Sequence, residues 1–303
     1  MAEQLIDVGE GITLCYETFG DPAAPPLLLV MGLGMQMIAW DDEWCEQLAG
    51  RGFHVVRFDN RDAGRSTHTD VPTPRIKQLA TRKFDPRQYR LTDLAGDAAR
   101  LLRALDLAPA HIVGASMGGM IVQTMAAEHP DVVRSLTSIM SNTGHRFLGQ
   151  PALAVYPKLL RKPAKTREEG IERTVEMFSL IGSPGFPRDD DALRDQARRS
   201  IARDHDPRGM PRQLGAILAS GDRKAQLATI TAPTLVIHGT KDRMVNPSGG
   251  KLTAKLIPGA KLMMIEGMGH DLPKQVWPRL LDAIAELARG ADAAAGRTGA
   301  PAA

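Results

Sequence analysis

Residues His111-Ile112-Val113-Gly114-Ala115-Ser116-Met117-Gly118 decide how this chain is read. The first five form a β-type run, and residues 117–128 carry a helical pattern that starts almost at once, so Ser116 stands in a tight turn between strand and helix. Residues 114–118 fit the pattern G-x-S-x-G. Such a turn is strained, and side chains two residues before or after the serine would clash, which accounts for both glycines. The turn lifts the hydroxyl above a sheet. It also sets the Met117 backbone N–H at a helix N-terminus, where donors are unpaired and the dipole favours negative charge.

Outward from this turn, short apolar runs alternate with helical patterns. Residues 12–19 read as an edge hairpin strand, 27–31 and 53–58 as strands covered on both faces, and 132–140 as the strand after the 117–128 helix. Strands 234–238 and 261–265 follow, with a short helix at 249–256 between them. Residues 41–49 read as a helix with acids in its first turn. Leu94, Ala98, Leu101, Leu102 and Leu105 mark another, capped by Thr92 or Asp93. The last helix shows Val276, Trp277, Leu280, Leu281, Ile284 and Leu287 on one face. The alternation predicts an α/β fold, a mostly parallel sheet with helices on both faces. It stops between 143 and 230, where only helical patterns appear. That segment reads as a helical cap inserted into a core of residues 1–142 and 231–289, roofing the functional end of the sheet. Residues 290–303 are small-residue low complexity and read as a disordered tail.

The chain has 303 residues, and length alone suggests two domains at about 150 residues each. The inserted cap reduces this to one core and a lid. A hydrophobic share of 43% excludes global disorder. The net charge of +3 is made of interspersed signs, which argues against a nucleic-acid partner. The densest basic stretch, Arg75 to Arg90, reads as a solvated loop. No apolar run is long enough to span a bilayer. The first residues lack the basic and apolar regions of a secretory signal, so a cytoplasmic protein is expected, monomeric or a homodimer. Cys15 and Cys45 suit neither a metal site nor a disulfide framework. Neither a metal nor a cofactor is expected.

A serine hydroxyl needs a base, and the base needs an orienting acid. The eight histidines include two well beyond the cap, His238 and His270. His238 ends a buried strand and reads as structural. His270 lies in Gly267-Met268-Gly269-His270, in a loop after strand 261–265, and is the expected base. Asp242, leading out of strand 234–238, is the expected acid. Glu266 and Asp271 sit too near His270 in sequence to reach its Nδ1 easily, and Asp222 lies at the cap exit. A second oxyanion donor is expected from Met31-Gly32-Leu33-Gly34, where small residues let the backbone approach. The Leu33 N–H is paired here with that of Met117.

These residues resemble the α/β-hydrolase superfamily, over roughly residues 5 to 289. The likeness rests on Val30-Met31-Gly32, the Phe58–Ser66 segment, the serine turn, the Ala232–Ile237 strand and Gly267–His270. Within the superfamily the sequence is most similar to the aclacinomycin methylesterase group, which demethylates a carboxylic ester. The resemblance implies an eight-stranded, mostly parallel sheet and an esterase core with a helical cap. In one respect the chain departs from the pattern. Most relatives carry histidine before the glycine of the oxyanion loop, and here Met31 stands there, so that histidine's supporting hydrogen bonds must be replaced. The Arg61–Ser66 segment reads as structural. Serine at the turn argues against the dehalogenases and epoxide hydrolases, which use aspartate. Asp189 to Asp191 read as a helix start rather than an amine-binding cluster.

Methionines cluster beside these loops: Met31, Met35, Met37, Met117, Met120, Met244 and Met268. They suggest an apolar, adaptable pocket. Gly32, Met35, Met244, Met268 and Phe178 are its expected lining, with Phe147, Tyr156 and Phe186 as further roof. The expected function is that of a serine hydrolase of apolar carboxylic esters, acting through an acyl-enzyme on a small-molecule ester. The alternatives are perhydrolysis or acyl transfer by the same residues, as in cofactor-free haloperoxidases, lactone hydrolysis, or a receptor that has lost turnover.

Overall fold

The structure, a computed structural model, describes residues 2–159, 161, 164–204 and 206–298. In chain order it runs β1 (Gln4–Asp7), β2 (Thr13–Phe19), β3 (Pro26–Val30), α1 (Asp42–Ala49), β4 (His54–Phe58), α2 (Ile76–Thr81), α3 (Leu91–Ala104), β5 (Ala110–Ala115), α4 (Met117–Glu128) and β6 (Val133–Ile139). Five helices follow: α5 (Tyr156–Leu159), α6 (Arg167–Ile181), α7 (Asp190–Arg203), α8 (Gly209–Ser220) and α9 (Lys224–Leu227). The chain closes with β7 (Thr234–Gly239), α10 (Ser248–Leu256), β8 (Lys261–Ile265) and α11 (Trp277–Thr298).

The eight strands form one sheet in the order β1-β2-β4-β3-β5-β6-β7-β8. β1–β2 and β2–β4 are antiparallel, and the other pairs are parallel. The strand read as an edge from its alternation, β2, is covered by β1, which therefore forms that edge. Strand order reverses around β3, which lies between β4 and β5. Loops leaving the carboxyl ends of β3 and β5 therefore diverge at a switch point, where open α/β sheets bind ligands.

Side chains alternate across the sheet, so β3 feeds both faces. Leu28 and Val30 pack with α3 and α4, and Leu27 and Leu29 pack with α1 and α11. The second face gathers all three tryptophans, with Trp44 tilted against Trp40 at 5.8 Å and edge-on to Trp277 at 5.5 Å. The three largest rings of this chain thus share one layer, while Tyr16, Phe58 and Tyr89 lie on the other face.

Local signals explain several boundaries. Asp41 caps α1 by accepting the Glu43 N–H at 2.9 Å. Asp189 caps α7 by accepting the Asp191 and Ala192 N–H groups, which is the helix start expected of that acidic run. In α3 the expected cap moves: Arg90 is the capping position, and Asp93, three residues on, reaches back to the Arg90 N–H at 2.7 Å. The basic stretch is not all loop, since it contains the solvent-facing helix α2.

The tail reading requires correction. Residues 290–298 continue α11. Alanine is the best helix former, so a small-residue composition that resembles low complexity also extends a helix once one face has a partner. That partner exists: Ala291 is buried, and Asp292 Oδ2 lies 3.2 Å from His111 Nε2. Residues 299–303 lie outside the described residues.

Candidate active site

The turn after β5 has the geometry its glycines imply. Ser116 adopts φ 57° and ψ −118°, a left-handed backbone that a residue with a Cβ rarely takes. A Cβ on Gly114 would lie 2.2 Å from the Gly118 carbonyl oxygen, and one on Gly118 would lie 2.0 Å from that of Val30. The strand end, helix start and β3 end are therefore in backbone contact, and this contact presses Ser116 outward. Ser116 stays partly exposed while its neighbours Ala115 and Met117 are buried.

Three side chains from three loops meet there. Ser116 Oγ lies 2.9 Å from His270 Nε2, and His270 Nδ1 lies 2.8 Å from Asp242 Oδ2. A carboxylate only accepts, so Nδ1 carries the proton toward Asp242 and Nε2 is left to accept the Ser116 hydroxyl. The other oxygen of Asp242 accepts the Met244 and Val245 N–H groups at 2.9 and 2.8 Å. His238, fully buried, donates from Nε2 to the Val245 carbonyl at 2.8 Å, and the same nitrogen is 3.4 Å from Asp242 Oδ2. Burial alone would raise the Asp242 carboxyl; His270 and His238 outweigh it and hold the group down at about 2. Asp242 is thus a fixed negative charge under the imidazole. His238, read as structural from the sequence, is part of what keeps it so.

The rivals lie elsewhere. Asp271 accepts from Ser183 Oγ, while Glu266 and Asp222 are not among the partners of His270. Burial pushes the thiols of Cys15 and Cys45 up to about 12, so neither is a thiolate near neutrality. Among the described residues no group of three or more His, Cys, Asp and Glu side chains could hold a metal ion. No helix of the described residues is long and apolar enough to cross a membrane.

The loop after β3 packs against the serine: a Cβ on Gly32 would lie 3.1 Å from Ser116 Cβ. Leu33 follows, and the Met35 N–H closes a turn onto the Gly32 carbonyl at 3.2 Å. Met117 opens α4, so its N–H has no acceptor within the helix. The support that Met31 cannot give comes from other residues. Asn60 Nδ2 donates to the Met31 carbonyl at 3.0 Å, and Asp59 Oδ1 accepts the Met37 N–H at 2.7 Å. Asp59 is also paired with Arg203 at 2.6 Å, and Ser66 Oγ donates to its carbonyl at 2.6 Å. Asp59 and Asn60 accordingly brace the loop from behind, and Ser66 holds Asp59.

The helical insertion reaches both loops. Gln213 of α8 accepts the Gly34 N–H at 2.8 Å. At the end of α6, the Ile181 carbonyl accepts the His270 N–H at 2.8 Å, Ser183 Oγ accepts the Gly269 N–H at 2.8 Å, and the Gly185 N–H donates to Gly267 at 3.0 Å. Ser183 and Gln213 were absent from the expected set. Each acts across more than 80 positions of sequence, with no local pattern to signal it.

The expected pocket lining is only partly placed near solvent. Met35, Met244 and Phe178 are half-buried. Met268 is fully buried in the core layer with Trp277, so it offers no surface to a pocket; the sequence places it beside His270, but its side chain turns into the core. Met31, Met37, Met117 and Met120 are likewise buried. The thioethers mostly fill core space that rings would otherwise occupy. Phe147 is 76% exposed and Tyr156 is 38% exposed, so neither is held down as a roof.

The model of the alpha/beta hydrolase fold family matches residues 25–274. This chain belongs to that family. Two curated relatives are similar to this hydrolase over nearly its whole length. Rhodomycin D methylesterase DauP of Streptomyces sp. (strain C5) is 34% identical, over 92% of this chain and 96% of its own. Rhodomycin D methylesterase DnrP of Streptomyces peucetius is 32% identical over the same shares. The enol-lactonase of Burkholderia xenovorans LB400 superposes with a TM-score of 0.73 at 22% identity, over 93% of this chain and 98% of that one, a likeness of fold alone. The methylesterase resemblance drawn from the sequence agrees with these relatives. The hydrolase is a carboxylic ester hydrolase.

Proposed function

We propose that this hydrolase cleaves the methyl ester of a large apolar carboxylic acid, with Ser116 as nucleophile, His270 as base and Asp242 as the orienting acid. The observation that carries the reading is the unbroken hydrogen-bonded line from Ser116 Oγ through His270 to Asp242. As Oγ attacks the ester carbonyl, its proton passes to His270 Nε2. The imidazolium that forms faces an ionised Asp242. The carbonyl oxygen gains the negative charge and is held by the Leu33 and Met117 N–H groups. Collapse expels methanol, protonated by His270. Water then enters, gives its proton to the same nitrogen, and releases the acid from Ser116.

The choice of a methyl ester is supported by the two methylesterase relatives, and that of an apolar acid by half-buried Met35, Met244 and Phe178 beside the loops. Residues 143–230 act as the cap, and a cytoplasmic location fits the two free, buried cysteines. The test is a panel of methyl esters graded by acid size, with methanol and free acid measured as products. Ser116→Ala should lower kcat by on the order of 10⁴ to 10⁶. Near-wild-type turnover in that variant refutes the mechanism. A product diverted wholly to peracid or a new ester, when peroxide or alcohol competes with water, refutes hydrolysis as the main outcome.

A further inference from the structure

Gln213 is fully buried, yet both ends of its amide are used. Oε1 accepts the Gly34 N–H at 2.8 Å and Nε2 donates to the Arg61 carbonyl at 2.8 Å. A backbone N–H only donates and a carbonyl only accepts, so these two partners fix which way the amide points. The helix that carries it is seated firmly. Next to it, Arg212 donates from Nε to the Val71 carbonyl at 2.6 Å and pairs with Asp62 at 3.0 Å. At the helix start, a Cβ on Gly209 would lie 1.9 Å from the Asp62 carbonyl oxygen.

The Gly34 N–H is not an ordinary loop donor. Gly32 to Met35 form a turn closed by the Met35 N–H, with Gly34 at φ +68° in the third place and Leu33, whose φ is not positive, in the second. That is the pattern of a type II turn. Its central peptide, Leu33 C=O to Gly34 N–H, is the part that reverses when a turn changes type, and Gln213 grips its N–H.

We propose that Gln213 is a positioning residue for the oxyanion loop: by locking the central peptide of the Gly32–Met35 turn it holds the loop in one conformation, and with it the place from which the Leu33 N–H faces the space over Ser116. The inference rests on the reading of Leu33 as an oxyanion donor. It gives the insertion a part in rate as well as in substrate choice. It also adds to the support that Asn60 and Asp59 give the loop with Met31 in place of histidine.

The test compares wild type, Gln213→Leu, Gln213→Glu and Ser116→Ala with p-nitrophenyl butyrate, the rates of the three proteins that keep Ser116 divided by the sites labelled by a fluorophosphonate and that of Ser116→Ala by total protein. Gln213→Leu should lower kcat about 10- to 100-fold, less than the loss of an oxyanion donor outright, with KM within about threefold. Phenylboronic acid, which forms a tetrahedral adduct on serine, should bind more weakly by a similar factor. Gln213→Glu keeps the acceptor for Gly34 and should retain more of kcat than Gln213→Leu. If Gln213→Leu does not fold, Gln213→Asn, whose amide is one carbon too short to reach the Gly34 N–H, takes its place, with the same losses of kcat and boronic acid affinity expected. Unchanged kcat and boronic acid affinity, or a loss confined to KM, overturns the proposal. If Ser116→Ala is inactive while Gln213→Leu is not impaired, only this inference falls. If Ser116→Ala is active, the reading beneath it falls.

Discussion

The backbone N–H of His270 donates to the Ile181 carbonyl at 2.8 Å, so the loop that carries the imidazole is bonded to the last turn of α6. One residue earlier, Ser183 accepts the Gly269 N–H and donates to Asp271, using its hydroxyl in both directions. Imidazole position is therefore a property of the insertion as well as of the sheet.

Ser183→Ala leaves the buried Gly269 N–H without its acceptor and takes from Asp271 the hydroxyl donor of Ser183, while the Ser183 backbone N–H remains. The cost should be about 1–3 kcal/mol of stability, with a fall in kcat exceeding any change in KM. Burial already raises the Asp271 carboxyl, and losing Ser183 raises it further. A raised carboxyl destabilises the fold when ionised, so its cost appears as pH rises and fades as it is protonated. Urea unfolding at pH 4 and pH 8 checks this: the gap between Ser183→Ala and wild type should be larger at pH 8. A gap of equal size at both would remove Asp271 from the argument.

Asp242 gives the opposite sign. Its folded carboxyl lies near 2, below the ordinary value of 3.8. It thus contributes about 2 kcal/mol of stability, fully present above pH 4 and lost as the pH falls toward 2. Asp242→Asn should be less stable than wild type at pH 7, and the two should converge on acidification. Its kcat should fall roughly 10³- to 10⁴-fold, because the imidazole loses its orienting acceptor and counter-charge. Stability curves that stay parallel across this range would contradict the assignment of the charge to Asp242.

Ser116 holds its positive φ at a cost, since a side chain there is worth about 1–3 kcal/mol of strain. Ser116→Ala and Ser116→Gly both remove the hydroxyl, and both should be inactive. Of the two, Ser116→Gly relieves the backbone and should be the more stable, by about 1 kcal/mol. Calorimetry of the pair decides it, and the reverse order would mean that the turn stores no strain.

Much of this was legible because it is local. The glycines around Ser116, the Asp41 cap and the apolar strands are each read within a few residues of chain. Asp242 and His270 were reachable because strand ends are countable and the loops after them share one edge of the sheet. What escaped depends on distance. Nothing near Gln213 or Ser183 marks a residue that bonds a backbone N–H on the far side of the fold. The methionines misled for a related reason: neighbouring a functional loop in sequence says nothing of which way a side chain turns, and Met268 turns inward. The tail misled because alanine-rich chain is helical or not according to what it lies against, and His111 is remote in sequence from Asp292.

The bonds from α6 and α8 to the two loops bear on how such enzymes are re-engineered. A graft that exchanges residues 143–230 for the corresponding segment of a relative, to import its substrate range, would also import that relative's fastenings for the serine's two working loops. Donor segments should therefore be screened first for an acceptor matching Gln213 and a hydroxyl matching Ser183, and only then for the shape of the chamber they enclose.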